Sequence, residues 1–368
     1  TAVNHGDLQR FCEAVPVAML VVDRRTRIVA ANAAAAELFG PDLNDRPFVT
    51  AMRQPGVNAA LDWVLEPDRH PAPPPDPDLQ SRRPDCARLA VVLNARGRDL
   101  DSVVTVSPLR VGDGRGAAVF IEDSTGIQKA EQMRRDFVAN VSHELRTPLT
   151  ALIGFIETLR GAARNDPAAR ERFLDTMQRE AGRMNRLVAD LLSLSRVEGN
   201  ERRRPAEDID LSALIANAVT ALAPTTAVAG VRIRVMGADR SVRLQGDADQ
   251  IVQIFHNLIE NAVKYGRQPG EVRVTLSHVA HEPVLRGPGW AVEVADDGEG
   301  VEALHLPRLT ERFYRVDPHR SREKGGTGLG LAIVKHIVNR HRGRLRIESV
   351  KGQGSRFTVI LPERQDRR

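Results

Sequence analysis

Along residues 8–40 the apolar positions change rhythm. A short polar-apolar helix leads into AMLVVD (18–23), a polar turn at RRTR (24–27), and IVAANAAAAELFG (28–40), which begins in alternation and becomes helical. The pattern predicts strand, turn, strand, helix. The run HPAPPPDPD (70–78) cannot hold a helix or a ladder and reads as a mobile loop, with His70 a loop histidine. LAVVLNA, SVVTVSPL and GAAVFIEDST then give three β-rich runs separated by polar or Gly-rich turns. The first ~125 residues therefore predict a small antiparallel sheet with helices packed to one side.

From about residue 131 the period becomes helical. Val138, Val141, Leu145, Leu152, Phe155 and Leu159 fall on alternating three- and four-residue steps, with Pro148 in the gap. A second helix repeats the seam with Phe173, Met177, Met184, Leu187, Leu191 and Leu194, Glu180 taking one step. RNDP (164–167) makes the turn, with Asp166 as N-cap and Pro167 at the first helical position. Such a hairpin cannot bury its own stripe, so pairing with a second copy into a four-helix bundle is expected, and with it a homodimer. After a charged linker at 200–207, VRIRVM, a helix at 248–265, EVRVTL, WAVEVAD, a helix at 328–341, GRLRIES and SRFTVIL predict an α/β sandwich.

Composition narrows this picture only a little. The 368 residues suit two or three domains. With 42% hydrophobic and 27% charged residues and a formal charge of +5, the chain reads as soluble, and its basicity is too diffuse to indicate direct nucleic-acid binding. Arg202, Arg203 and Arg204 and the closing RQDRR read as solvated linker and tail. Cys12 and Cys86 have no metal or disulfide spacing and suit a reducing compartment. VPVAMLVV (15–22) is well short of the roughly 18 apolar residues a membrane-spanning helix needs. The first residue is Thr, which leaves room for a membrane anchor upstream.

Four constellations carry candidate chemistry. His143 lies two residues from both Val141 and Leu145, about 200° around the helix from each, so it points away from the seam. A helical histidine alone is more often surface decoration, but Glu144 is adjacent and Thr147 one turn on, and an exposed neutral imidazole suits attack on phosphorus. Pro148 removes a helix hydrogen bond below it and predicts a bend. In QIVQIFHNLIENAVKYG (250–266), Ile251, Ile254, Leu258 and Ala262 form a buried stripe. Asn257, Asn261 and Lys264 line up beside it, amides suited to Mg²⁺ and a lysine suited to phosphate. WAVEVADDGEG (290–300) ends an apolar row on Asp296, with Gly298 and Gly300 letting backbone approach a ligand. ERFYRVD (311–317) and GGTGLGLAIVKHIV (325–338) place Gly326, Thr327, Gly328, Leu329 and Gly330 at a helix start, where free N–H groups favour phosphate.

FVANVSHELRTPLTAL (137–152) closely resembles the phosphoacceptor box of sensor histidine kinases. The later boxes, closing on KGQGSRF (351–357), keep that family's order over about 220 residues. The resemblance implies His143 as phosphorylated residue, Glu144 as activator of its imidazole and Thr147 as helper in dephosphorylating the partner. It implies ATP and Mg²⁺ as cofactors, with Asn261 on the metal and Asn257 contributing. Lys264 would approach the phosphates, Tyr265 would pack on adenine and Asp296 would read it, and Arg312 would touch the transferring phosphate from a lid between Val301 and Lys324. Asp297 departs from the neutral residues usual there and adds a negative charge.

The N-terminal part resembles a PAS sensor domain through VPVAMLVVD and IVAANAAAAELFG. The implied architecture is multidomain α+β: a PAS-like α/β domain (7–124), a dimerising phosphoacceptor hairpin (131–199) and an α/β-sandwich ATP-binding domain (207–363). The module order looks most like phosphate-regulon sensor kinases. That likeness implies a response-regulator partner of the winged-helix DNA-binding type, phosphatase activity towards it, a cytoplasmic place for this chain and a parent protein anchored in the bacterial inner membrane. Chaperones, gyrases and mismatch-repair ATPases share the ATP fold but lack an HELRTP hairpin. A signalling scaffold with a dead kinase domain would show broken nucleotide boxes, and here they are intact.

Overall fold

The computed structural model describes residues 5–70, 85–95, 97–112, 114–201, 203–317 and 325–363. Most of the expected Pro-rich loop, residues 318–324 of the expected lid, Arg202 and the RQDRR tail lie outside them. The chain divides into two compact units, 1–138 and 139–368.

In the first unit α1 (His5–Glu13) precedes β1 (Ala18–Val22), β2 (Ile28–Ala31), α2 (Ala33–Phe39), α3 (Phe48–Ala51), α4 (Pro55–Leu65), β3 (Ala87–Ala95), β4 (Arg98–Val111) and β5 (Gly114–Asp123). The strands form one antiparallel sheet in the order β2-β1-β5-β4-β3. Every residue of β1 is buried. Leu20 and Val22 join Phe48, Met52, Leu61 and Val64 in one core, while Met19 and Val21 join Leu8 and Cys12 of α1 in another. Helices thus cover both faces rather than the one expected, because AMLVV has no polar face to leave in water. Buried Asn32 ties these parts together. Its Oδ1 accepts from Met19 N (2.9 Å) and Ala35 N (3.0 Å), capping α2, while its amide donates to Val15 O (3.0 Å) and Val17 O (2.8 Å).

Helix α5 (Thr125–Arg160) and helix α6 (Pro167–Gly199) make the predicted hairpin. Asp166 caps α6 through Ala169 N at 2.9 Å, with Pro167 in the first turn. Pro148 is buried inside the unbroken assignment of α5. Val141, Leu145, Leu152, Phe155 and Leu159 are half-buried, and Phe155 meets Phe173 with ring centroids 5.4 Å apart. Val138 departs from the expected seam at 57% exposed.

The remaining chain runs β6 (Glu207–Asp210), α7 (Leu211–Ala221), α8 (Ala223–Ala229), β7 (Val231–Met236), β8 (Arg243–Gly246), α9 (Ala248–Tyr265), β9 (Gly270–Glu282), β10 (Gly287–Ala295), a 3-10 helix (Ala303–Arg308), α10 (Gly330–Arg340), β11 (Arg344–Val350) and β12 (Gly354–Pro362). The main sheet has the order β11-β12-β10-β9-β7, antiparallel except for β7 beside β9, and β6 pairs with β8 separately. Helix α9 packs against β9 and β10 and between α7 and α10. Leu187, Leu194 and Val197 of α6 are buried, and α6 also packs against α10. No single helix among the described residues is long and apolar enough to cross a membrane.

Candidate functional site

His143 is exposed on α5, as its angular position requires. Thr147 is also exposed, and its hydroxyl donates to the His143 carbonyl oxygen at 3.1 Å, within its own helical turn. Glu144 faces inward. Its carboxylate accepts from Arg183 of α6 at 2.6 Å and from the two terminal nitrogens of Arg315 at 3.2 and 3.3 Å. The carboxylate expected beside the imidazole is therefore engaged by two guanidinium groups. These charge-assisted bonds join α5 to the segment after the 3-10 helix.

Helix α9 begins on Asp247, which caps Gln250 N at 3.2 Å, and buries Ile251, Ile254, Leu258 and Ala262 as the spacing requires. Phe255, Ile259 and Val263 are buried too, leaving a narrow half-buried edge that carries Asn257, Asn261 and Lys264. Asn257 Nδ2 lies 3.5 Å from Gly330 O, which sets it at the start of α10. Lys264 pairs with Glu260 at 3.0 Å. Tyr265, at the end of α9, is 39% exposed.

Asp296 follows β10 and is 8% exposed. Burial pushes its carboxyl above the usual carboxylate range, against the pull of two backbone N–H groups. Gly298 N and Ser355 N both donate to Oδ1, at 2.9 and 3.3 Å, so among the described residues Oδ2 is the oxygen left to accept from a ligand. Gly298 is required for a reason other than ligand approach, since a Cβ there would strike the Tyr265 carbonyl at the end of α9. Gly328, at φ +75°, lets the glycine loop pass the Phe313 backbone.

Within that loop the Thr327 hydroxyl donates to Asp190 of α6 at 2.6 Å and accepts from Leu329 N at 3.3 Å. Arg312, the sequence candidate for a phosphate contact, instead binds Glu198 near the end of α6 at 2.6 Å. Arg315 was not singled out by the sequence. Its side chain is 5% exposed, it donates to Gly326 O at 2.9 Å as well as to Glu144, and its Nε has no hydrogen-bond partner among the described residues. The only sequence signal for it was the second arginine of RFYR. The site residues thus fall into two sets, His143 and Thr147 on the outer face of α5 and the others around the meeting of α9, β10 and α10, joined through Glu144, Arg315 and Gly326. Among the described residues there is no cluster of three or more His, Cys, Asp or Glu side chains able to hold a metal ion, so a cation here would depend on amide and ligand oxygens.

Comparison with known proteins gives three family matches. Residues 246–365 match the histidine kinase-, DNA gyrase B- and HSP90-like ATPases, 133–200 the His kinase A phospho-acceptor domain, and 8–70 the PAS domain. The phosphate regulon sensor protein PhoR of Pseudomonas aeruginosa is 45% identical over 240 residues, covering 65% of this chain and 52% of PhoR. The chain thus spans about half the length of that relative. The sensor-like histidine kinase SenX3 of Mycolicibacterium smegmatis is 34% identical over 362 residues, covering 98% of this chain and 86% of SenX3. Among solved structures, histidine kinase ThkA in complex with response regulator protein TrrA matches with a TM-score of 0.47 at 18% identity, covering 95% of this chain and 96% of that one.

Proposed function

The chain belongs to the sensor histidine kinases, and we propose that it uses ATP to phosphorylate its own His143 and then passes the phosphoryl group to an aspartate of a response regulator. The working parts are a PAS-like sensor domain (7–124), a phosphoacceptor hairpin (131–199) and an ATP-binding domain (207–363). One observation carries the reading: Arg315 bonds both Glu144, the neighbour of His143 in sequence, and Gly326 of the glycine loop, so acceptor and nucleotide elements share one residue.

In the reaction a lone pair on neutral His143 attacks the γ-phosphorus, the bond to the bridging oxygen breaks with its electrons leaving on ADP, and the other nitrogen of the exposed ring gives its proton to solvent. Asp296 Oδ2 accepts from the adenine amine, and its buried setting makes an unmatched base costly. Tyr265 offers its partly exposed ring to the base, and Lys264 reaches the phosphates from the half-buried edge of α9. Gly326, Thr327, Gly328, Leu329 and Gly330 lie at the start of α10, where negative charge is favoured, and the Leu329 N–H leaves the Thr327 hydroxyl to meet it. Gly300 closes the turn behind Asp296. The amide oxygen of Asn261, with Asn257 beside it, would hold a Mg²⁺ ion arriving with ATP, which when bound would supply positive charge to the phosphate oxygens. Arg312 leaves Glu198 to meet the transferring phosphate.

Thr147 orients the water that removes phosphate from the regulator, making the protein a phosphatase as well. A homodimer is supported by the stripe Leu149, Ile153, Ile156, Leu174, Val188 and Leu192, which stays exposed although the hairpin is formed. A winged-helix regulator and a cytoplasmic workplace, where ATP is present, complete the proposal. The test is incubation with γ-labelled ATP. Label that is lost in acid, as a phosphohistidine is, supports the reading, and acid-stable label or none refutes it.

A further inference from the structure

Helix α6 reaches the glycine loop with two side chains one turn apart. Asp190 accepts from the Thr327 hydroxyl at 2.6 Å. Arg186 lies over Gly325, so close that a Cβ added there would sit 2.8 Å from its guanidinium. Asp190 is half-buried. Burial pushes its carboxyl up and Glu260 adds to the push, while the Thr327 bond, Lys264 and Arg186 oppose it. The carboxylate therefore holds the hydroxyl of the loop and stands in the field of Lys264, which are two of the groups a triphosphate would use.

We propose that Asp190 competes internally with the nucleotide, occupying the phosphate side of the site while α6 is docked and weakening ATP binding until α6 withdraws. The inference rests on the reading of residues 325–330 as the phosphate loop. Thr327 has one hydroxyl proton, which cannot go to Asp190 and to a phosphate oxygen at once. Two anions held in the same partly buried place repel each other. The docked position of α6 is fixed by further contacts. Ser193 meets Gln253 at 2.8 Å, Glu198 meets Arg312 at 2.6 Å, and His336 lies 3.3 Å from Glu198 and 3.2 Å from Glu201. Because coupling between two binding events is reciprocal, ATP must weaken α6 docking by the factor that docking weakens ATP. The hairpin thereby gains a direct effect on nucleotide occupancy, apart from its role as acceptor.

The test measures dissociation constants of Mg²⁺–ATP and of adenosine for the full chain, for Asp190→Ala and for the nearly isosteric Asp190→Asn. Both variants should bind Mg²⁺–ATP about fivefold tighter or better. Adenosine lacks the phosphates, so its affinity should stay within about twofold of the parent's. Unchanged or weaker Mg²⁺–ATP binding in both variants overturns the proposal. An equal gain for adenosine also overturns it, because that result means general loosening of α6 rather than competition at the phosphates. Failure of the underlying site reading shows separately, as an Asp296→Ala chain that binds Mg²⁺–ATP like the parent.

Discussion

Arg315 and Glu144, 171 residues apart in sequence, are joined by two hydrogen bonds of 3.2 and 3.3 Å. The same Glu144 carboxylate takes a third bond from Arg183 at 2.6 Å. The residue next to the proposed acceptor thus connects both hairpin helices to the nucleotide-binding part of the chain.

Replacing Glu144 with Gln keeps the shape of the side chain but removes the charge shared by two guanidinium groups. Hydrogen bonds to charged groups are worth about 1.5–3 kcal/mol each, so a loss of at least ~1 kcal/mol in the transition that melts the hairpin is expected. Arg315→Lys should lose a similar amount, since an ammonium cannot reproduce the planar fork that meets both carboxylate oxygens and Gly326 O. A denaturant midpoint unchanged in both variants would show the cluster to be energetically idle.

Thr147→Ala removes a hydroxyl and a methyl from an exposed helix face, and alanine is the best helix former, so the hairpin should keep its stability. The lost bond to the His143 carbonyl is local and leaves the helix ladder in place. Phosphorylation of His143 and of the regulator should stay near the parent rates. Loss of phosphate from purified phosphoregulator, followed with ADP present, should slow by about tenfold or more, as when one positioning group is removed. Equal rates for variant and parent would reduce Thr147 to a surface residue.

His341 is fully buried, accepting from Asp247 N at 3.0 Å through Nε2 while Nδ1 faces Ile337 O at 2.8 Å. The carbonyl needs a donor and the N–H needs an acceptor, so the ring is neutral with its proton on Nδ1. Burial lowers its pKa, with Arg340 acting in the same direction and the Ile337 carbonyl and Asp247 opposing. The unfolded chain then binds the proton more readily than the folded one. Stability is full above the unfolded histidine pKa of about 6.5 and falls as pH drops from there towards the lower folded value. Thermal midpoints between about pH 7.5 and 5.5 should show this loss, and His341→Gln should flatten it. Asp190 and Asp296, whose carboxyls are raised, act with the opposite sign at more acidic pH. A parent whose midpoint does not fall over that range would contradict the assignment.

What the sequence made legible is what period and spacing encode. The heptads gave the hairpin, Asp166 and Pro167 gave its turn, and the α9 stripe gave the edge that carries Asn257, Asn261 and Lys264. The short β6, with Ile209 as its only buried residue, offers no period to read. Helix α4 escaped although Pro55 opens it and Val57, Leu61 and Val64 mark its buried face. Pairings across long separations were also invisible. RFYR contains two arginines, and nothing local says that Arg312 meets Glu198 while Arg315 meets Glu144. The stripe Leu187, Leu194 and Val197 fits a hairpin seam and a docking face for α10 equally well, so its pattern could not divide the residues between them.

The central claim is that His143 receives the γ-phosphoryl group, and the most direct measurement compares parent and His143→Gln chains incubated with γ-labelled ATP and Mg²⁺, each also titrated for nucleotide binding. His143 is an exposed residue of α5 and is not one of the residues of α9, β10 and α10 assigned to the nucleotide, so the variant should bind ATP with the parent's affinity. The account predicts acid-labile label on the parent and none on the variant. Acid-labile label persisting on His143→Gln at equal ATP occupancy would contradict it.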